Sequence, residues 1–283
     1  MKLSYYPGCS LEGGATEYDE SVRSVFNALA IDLEELKDWS CCGASSGHAT
    51  DDYLALALPM RNLAIAEGMG LDLVVPCMAC FNRLKRAEKD GPHNEDVSKE
   101  FEYGGKIKIL HVLDYLSQPK QIDLIRKEVK RPLEGLKVVP YYGCLYARPP
   151  KVTDVQDYED PQSMNIILDS LGADVRPWSF KTDCCGGNLA LTRTDVLKRM
   201  AERLFKMAQE ADAEALVVAC PMCHANLDTR EGEIVNEGGQ GYNMPIYYVS
   251  ELISVALGTQ NVTKWLDRHI VNSVTLLEGK GLL

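Results

Sequence analysis

No stretch of this sequence comes near the ~20 consecutive apolar residues of a membrane span, so an integral membrane role is not expected. Basic residues are in deficit: 30 Lys and Arg face 41 Asp and Glu, a formal charge of -11. Binding to nucleic-acid phosphates wants a basic surface, so the balance argues against that partner class. It leaves small anions open, because they respond to the local field in a cleft. There is no GxGxxG, no phosphate-cradling glycine loop and no Ser/His/Asp grouping. A flavin or nicotinamide is therefore expected on a partner and not on this chain. The N-terminus, MKLSYYPGCS, lacks the apolar stretch of a signal peptide and reads as a buried strand. A reducing, cytoplasmic compartment follows as the expectation.

What is present is an ordinary globular composition carrying a large number of thiols. Of 283 residues, 46% are hydrophobic and 25% charged, enough for a core that needs no disulfide staples. The ten cysteines fall into two matching sets, C-x31-CCG-x33-C-x2-C followed by C-x39-CCG-x33-C-x2-C. The first is Cys9, Cys41, Cys42, Cys77 and Cys80; the second is Cys144, Cys184, Cys185, Cys220 and Cys223. From Cys42 to Cys77, and from Cys185 to Cys220, the interval is 35 residues. Tyr5-Tyr6-Pro7-Gly8-Cys9 is answered by Tyr141-Tyr142-Gly143-Cys144, and no cysteine lies outside the pattern. The chain is an internal duplication, which divides it at 1–134 and 135–283.

Short apolar runs alternate with helical periodicity, as in βαβ units. The runs Lys2–Tyr6, Ile31–Leu36, Leu71–Val75 and Ile107–Val112 predict four strands in the first half. Leu136–Tyr142, Ala173–Trp178, Ala215–Ala219 and Pro245–Val249 predict four in the second. Helices are predicted over Thr16–Ala30, Asp51–Gly68, Gln162–Leu171 and Leu189–Gln209, with Pro59 kinking or breaking the second. Asp160, Pro161 and Gly172 read as N-cap, first turn and stop of the third. Glu88–Gly105 reads as a surface excursion and Lys120–Glu134 as a charged helix. The expected class is α/β: two small, about four-stranded, mostly parallel sheets flanked by helices and related by a pseudo-two-fold. Cys9, Cys77, Cys144 and Cys220 each follow a strand directly, at the sheet end where ligands bind in open α/β folds.

Thiolates select zinc, Cu(I) and iron–sulfur clusters. Four close a zinc tetrahedron and four hold a cubane, so a fifth in each set is surplus to both. Adjacent cysteines point in different directions and reach two metals of an extended cluster more readily than one ion. Buried free thiols, disulfides, or one zinc per half remain as alternatives.

These motifs resemble the CCG domain, a cysteine-rich repeat, and both copies fit without a missing ligand. A chain of only two repeats is most similar to the B subunit of heterodisulfide reductase. The resemblance implies two non-cubane [4Fe-4S] clusters, with all five cysteines of each set as ligands. It implies reduction of the coenzyme M–coenzyme B disulfide to two thiols, as in methanogenesis. The complex would include a flavin-bearing A subunit and an iron–sulfur relay C subunit. Other CCG proteins serve quinone-linked succinate, lactate or glycolate oxidation, and a relay module with one cluster and one zinc is a further alternative. If the halves face each other, the disulfide would lie between the two sets.

Four further residues are candidates for the reaction. His48, close after Cys42, and His224, directly after Cys223, are candidate proton donors to a departing thiolate or hydrogen-bond partners of a cluster sulfide. Arg148 and Lys181 flank second-half cysteines and could pair with a coenzyme's sulfonate or phosphate. The tyrosine pairs read as core.

Overall fold

The computed structural model describes residues 1–44, 46–236 and 241–283, and its strands follow one plan twice. In the first half β1 (Lys2–Tyr5), β2 (Asp32–Glu35), β3 (Leu73–Val75) and β4 (Ile109–His111) form a sheet in the order β2-β1-β3-β4. In the second, β5 (Lys137–Tyr141), β6 (Asp174–Val175), β7 (Ala215–Val218) and β8 (Ile246–Tyr248) are ordered β6-β5-β7-β8. All pairings are parallel. Parallel neighbours need crossovers, which the helices supply. Strands covered on both faces read as unbroken apolar runs, and β3 and β7 are buried throughout.

Each strand lies inside the run that predicts it; the helices differ more. Asp52–Met69 runs unbroken through Pro59. The third helix begins at Ser163, and Asp160 does not cap it but pairs with Lys181 at 2.6 Å. Gly172 does stop it, with a φ of 84°. The fourth begins at Thr194, because Gly187–Leu189 forms a separate 3-10 turn. The charged helix is Pro119–Glu128, ending six residues early. Within Glu88–Gly105, the helix Glu95–Glu100 buries Val97, so the excursion is partly folded onto the body.

The two halves interlock. The helix Thr16–Ala28, from the β1–β2 crossover, packs on the helix Val249–Leu257 that follows β8. Ser21 and Ser250 share a hydrogen bond of 2.7 Å there. In the mirrored position, the helix Ser163–Ser170 packs on the helices after β4, and the Tyr146 hydroxyl donates to Asp114. Between the halves Tyr18 stacks on Tyr248, with centroids 4.1 Å apart and planes 4° from parallel. The Tyr18 hydroxyl faces two carbonyls, Pro76 at 3.0 Å and Ala219 at 3.2 Å, each the residue before a CxxC motif. His111 reinforces this tie. Burial holds its ring down at about 4 and hence neutral. Its Nδ1 accepts from the Leu113 N–H at 3.2 Å, leaving Nε2–H to donate to the Pro76 carbonyl at 2.8 Å.

Tyr18→Phe keeps the stack and removes the shared donor. The expected cost is about 1–3 kcal/mol, the penalty of a buried acceptor left underserved. Urea unfolding of the two proteins measures it; equal stability would mean that the hydroxyl does not hold the halves together.

Candidate metal centre

All ten cysteines lie at the carboxyl ends of the parallel strands. Cys9 opens the short helix Cys9–Glu12 after β1, and Cys144 opens Cys144–Ala147 after β5. Cys77 is the N-cap of the helix Met78–Asp90, with Cys80 one turn on; Cys220 directly precedes the helix Pro221–Asn236, which carries Cys223. Residues three apart share a helix face, so each CxxC presents two sulfurs together. The cysteine pairs sit in the loops after β2 and β6.

The glycine before each first cysteine makes room for the last. Gly8 and Gly143 have φ of 75° and 67°, and a Cβ there would stand 2.8 Å from Cys80 Sγ and 3.0 Å from Cys223 Sγ. After each pair the turn wraps back. The Gly43 N–H donates to Cys41 Sγ at 3.4 Å, and the Gly186 N–H to Cys184 Sγ at 3.3 Å. Aromatic walls match as well: Tyr6 meets Trp39 edge-on at 5.4 Å, and Tyr141 meets Trp178 at 6.1 Å. The Tyr6 and Tyr141 hydroxyls bond the carbonyls preceding the two pairs, Ser40 at 2.8 Å and Asp183 at 2.7 Å.

The sulfurs form a string. Cys9 and Cys41 are 3.6 Å apart, Cys42 and Cys80 3.3 Å, and Cys185 and Cys223 3.7 Å. The Tyr18 hydroxyl joins the carbonyls of Pro76 and Ala219, the residues directly before Cys77 and Cys220, and these two thiols act on one another electrostatically, so the two sets meet between the halves. Cys144 and Cys184 likewise act on one another in the second set. Thiol donors and backbone N–H groups pull Cys42, Cys184, Cys185 and Cys220 below the ordinary cysteine range. Their neighbours Cys41, Cys77, Cys80, Cys144 and Cys223 are pushed up. Cys9, Cys41 and Cys184 are exposed while the inner members are buried, so each set runs from surface to interior. Among the described residues, no three His, Cys, Asp or Glu side chains are grouped about a single ion position. Soft donors, five to a set and strung in pairs, fit a multinuclear iron–sulfur group.

The four other candidates are scattered. His48 is half-buried near the first set, and its Nδ1 has no hydrogen-bond partner among the described residues. His224 follows Cys223, but its ring turns into the core. It stacks on Tyr248 at 4.2 Å, with Nε2 3.1 Å from the Ile246 carbonyl. Burial and the nearby His269 hold it well below the usual histidine range, which suits packing better than proton donation. Lys181 is buried in its ion pair with Asp160. Arg148 is exposed and reaches the Thr182 hydroxyl at 3.3 Å. Tyr5 and Tyr6 are core, as are Tyr141 and Tyr142, although Tyr142 also lines a cavity of about 30 Å³ beside the second set. Met78 enters that cavity from the first half.

Several residues around the site were not singled out in the sequence. Arg83 and Asn226 stand three positions past each CxxC, a helical spacing that could have flagged them. Asn82 donates from Nδ2 to the Leu145 and Arg148 carbonyls, both at 2.9 Å, joining the halves. Tyr18 and His111 lie far from any cysteine in sequence and carry no local signal.

The cysteine-rich CCG domain family matches residues 3–85 and 138–228, which are the two cysteine-bearing repeats. The chain belongs to the CCG family. This CCG chain is 29% identical to the 8-methylmenaquinol:fumarate reductase membrane anchor subunit of Wolinella succinogenes, over 97% of its own length and 99% of that protein's. It is 25% identical to the B subunit of the ferredoxin/F(420)H(2)-dependent CoB-CoM heterodisulfide reductase of Methanosarcina acetivorans, covering 98% and 96%. A protein of Archaeoglobus profundus named for its likeness to the heterodisulfide reductase B subunit is 26% identical over 91% of each chain. In fold, the CCG chain resembles a hypothetical protein of Helicobacter pylori, with a TM-score of 0.72 at 11% identity. That likeness covers 96% of this chain and about half, 52%, of the other. No helix among the described residues is long and apolar enough to cross a membrane.

Behind His224, His269 and Glu251 form a buried ion pair of 3.0 Å. Burial draws the His269 ring down, but the Glu251 carboxylate outweighs it and the net shift is upward. The pair's contribution is thus complete below the ordinary histidine value of about 6.5. It is lost as pH rises through the raised value of the folded ring. Melting temperatures of wild type and His269→Gln should therefore converge with rising pH. A difference that is constant or widens would contradict the assignment.

Proposed function

We propose that this CCG chain is the iron–sulfur subunit of a multisubunit oxidoreductase that reduces a small mixed disulfide, of the coenzyme M–coenzyme B class, to two thiols. Residues 1–134 and 135–283 would each hold one non-cubane [4Fe-4S] cluster on their five cysteines. The observation that carries the reading is the meeting of the two donor sets across the pseudo-two-fold, where the Tyr18 hydroxyl joins the carbonyls directly before Cys77 and Cys220. Breaking a disulfide takes two electrons, and such clusters, when bound, supply them one at a time. Two centres side by side meet that demand without releasing a half-reduced sulfur. The relatives named for heterodisulfide reductase support the same chemistry.

The chain's own residues would then divide the remaining work. Arg148, exposed beside the second set, is free to receive a sulfonate or phosphate, whereas Lys181 is committed to Asp160. His48, whose Nδ1 has no partner among the described residues, is the better proton donor of the two histidines. Electrons would come through a flavin-bearing A subunit and a relay C subunit, in the reducing cytoplasm that keeps thiolates available.

The relative named for quinol:fumarate reduction, at 29% identity over nearly all of both chains, favours a second reading, in which the electron partner is a quinol. An anaerobic titration of the purified complex separates the two. Heterodisulfide should perturb a cluster's EPR signal and release two thiols per disulfide. No thiols, together with cluster reduction by a menaquinol analogue, would select the quinol reading.

A further inference from the structure

The two donor sets share one plan, yet the charges beside them differ. Three positions after the second cysteine of each CxxC stands Arg83 in the first half and Asn226 in the second. Both lie one helical turn from their cysteine and on its face. Asn226 reaches the second cysteine pair, its Nδ2 donating to the Cys185 carbonyl at 2.8 Å. Arg83 occupies the matching place, half-buried one helical turn beyond Cys80, with its guanidinium donating to Asn82 Oδ1 at 3.0 Å. No carboxylate pairs with Arg83 among the described ion pairs.

A second pair of equivalent positions carries the same bias. The residue before each cysteine pair is Ser40 in the first half and Asp183 in the second. The matching tyrosine bonds, Tyr6 to the Ser40 carbonyl and Tyr141 to that of Asp183, make these places structurally equivalent. Asp183 is half-buried and directly precedes Cys184, so its carboxylate opposes negative charge gained at the second set. Two basic residues lie near the second set. Lys181 is neutralised by Asp160, and Arg148 is exposed, where solvent and salt screen it. The first set therefore has a half-buried cation, and the second has an anion.

A cation stabilises whatever negative charge a reduced group gains; an anion opposes it. We propose that the two sets are electrically unequal, the first holding its cluster at the more positive reduction potential, with Arg83 and Asp183 setting the difference. The inference rests on the cluster reading above and adds a direction to it. Electrons entering the chain settle at the first set, and the second is the stronger reductant.

An EPR-monitored redox titration of the anaerobic complex, with its iron counted, tests this. Wild type should show two midpoint potentials. Arg83→Gln should lower the higher one and leave the other in place, while Asp183→Asn should raise the lower one. Each shift is expected to be about tenfold in the one-electron equilibrium, about 59 mV. Arg83→Lys keeps the charge and should restore the wild-type value, which a role in packing alone would not require. A single shared potential, or an equal shift of both signals in Arg83→Gln, overturns the inference and leaves the clusters in place. A complex without iron overturns the cluster reading and this inference with it.

Discussion

A Cys42→Ser chain is expected to be purified with about four irons in place of about eight, its first donor set emptied and its second intact. Cys42 is a buried member of its string, with its sulfur 3.3 Å from that of Cys80. A serine oxygen there is a hard donor where soft sulfur is needed. It would also leave a hydroxyl in an interior shaped for thiolate. The second set has its own five cysteines on its own sheet, which is why it should survive. Iron and zinc analysis with EPR on the anaerobic complex gives the result. Full iron in the variant would remove Cys42 from the ligand set. Zinc in wild type would instead favour the reading of one cluster and one structural zinc.

Gly8→Ala should be nearly as damaging, although it changes no ligand. The backbone at Gly8 has φ 75° and ψ 163°, a region essentially reserved for glycine. Holding alanine there costs about 1–3 kcal/mol before any contact is considered. The added methyl would also stand 2.8 Å from Cys80 Sγ, so either the strand end or the sulfur must move. Either movement spoils the first set. The expected result is a lower melting temperature with iron lost from that set alone. Gly143→Ala should do the same to the second set, where the contact is 3.0 Å to Cys223 Sγ. Gly14→Ala is the control, since a Cβ there meets nothing within 4 Å. Equal iron content in Gly8→Ala and Gly14→Ala would show that the cradle is not needed.

Much of the scaffold could be read from the sequence because its signals are local. Leu73–Val75 and Ala215–Val218 are apolar without interruption, and that pattern marks a strand covered on both faces wherever it occurs. The spacing of CCG and CxxC placed ten sulfurs at the ends of such strands in the same way. Helix ends were less legible. Asp160 has the chemistry of an N-cap, but an ion pair with the buried Lys181 claims it, and the helix starts later. His224 has the right sequence neighbour for a proton donor. Its ring is nevertheless drawn into the stack with Tyr248, because a helix residue one past Cys223 projects away from the sulfur.

The sequence by itself therefore determined the duplication, the two parallel sheets and the edge at which the thiols gather, all of which follow from local periodicity and spacing. Only the tertiary structure decided that the two sets meet at Cys77 and Cys220, and which neighbouring charges and rings face them. That meeting depends on how the halves dock, through the Tyr18–Tyr248 stack and the carbonyls of Pro76 and Ala219. Contacts between residues so far apart in the chain arise from packing, and no local pattern of side chains encodes them.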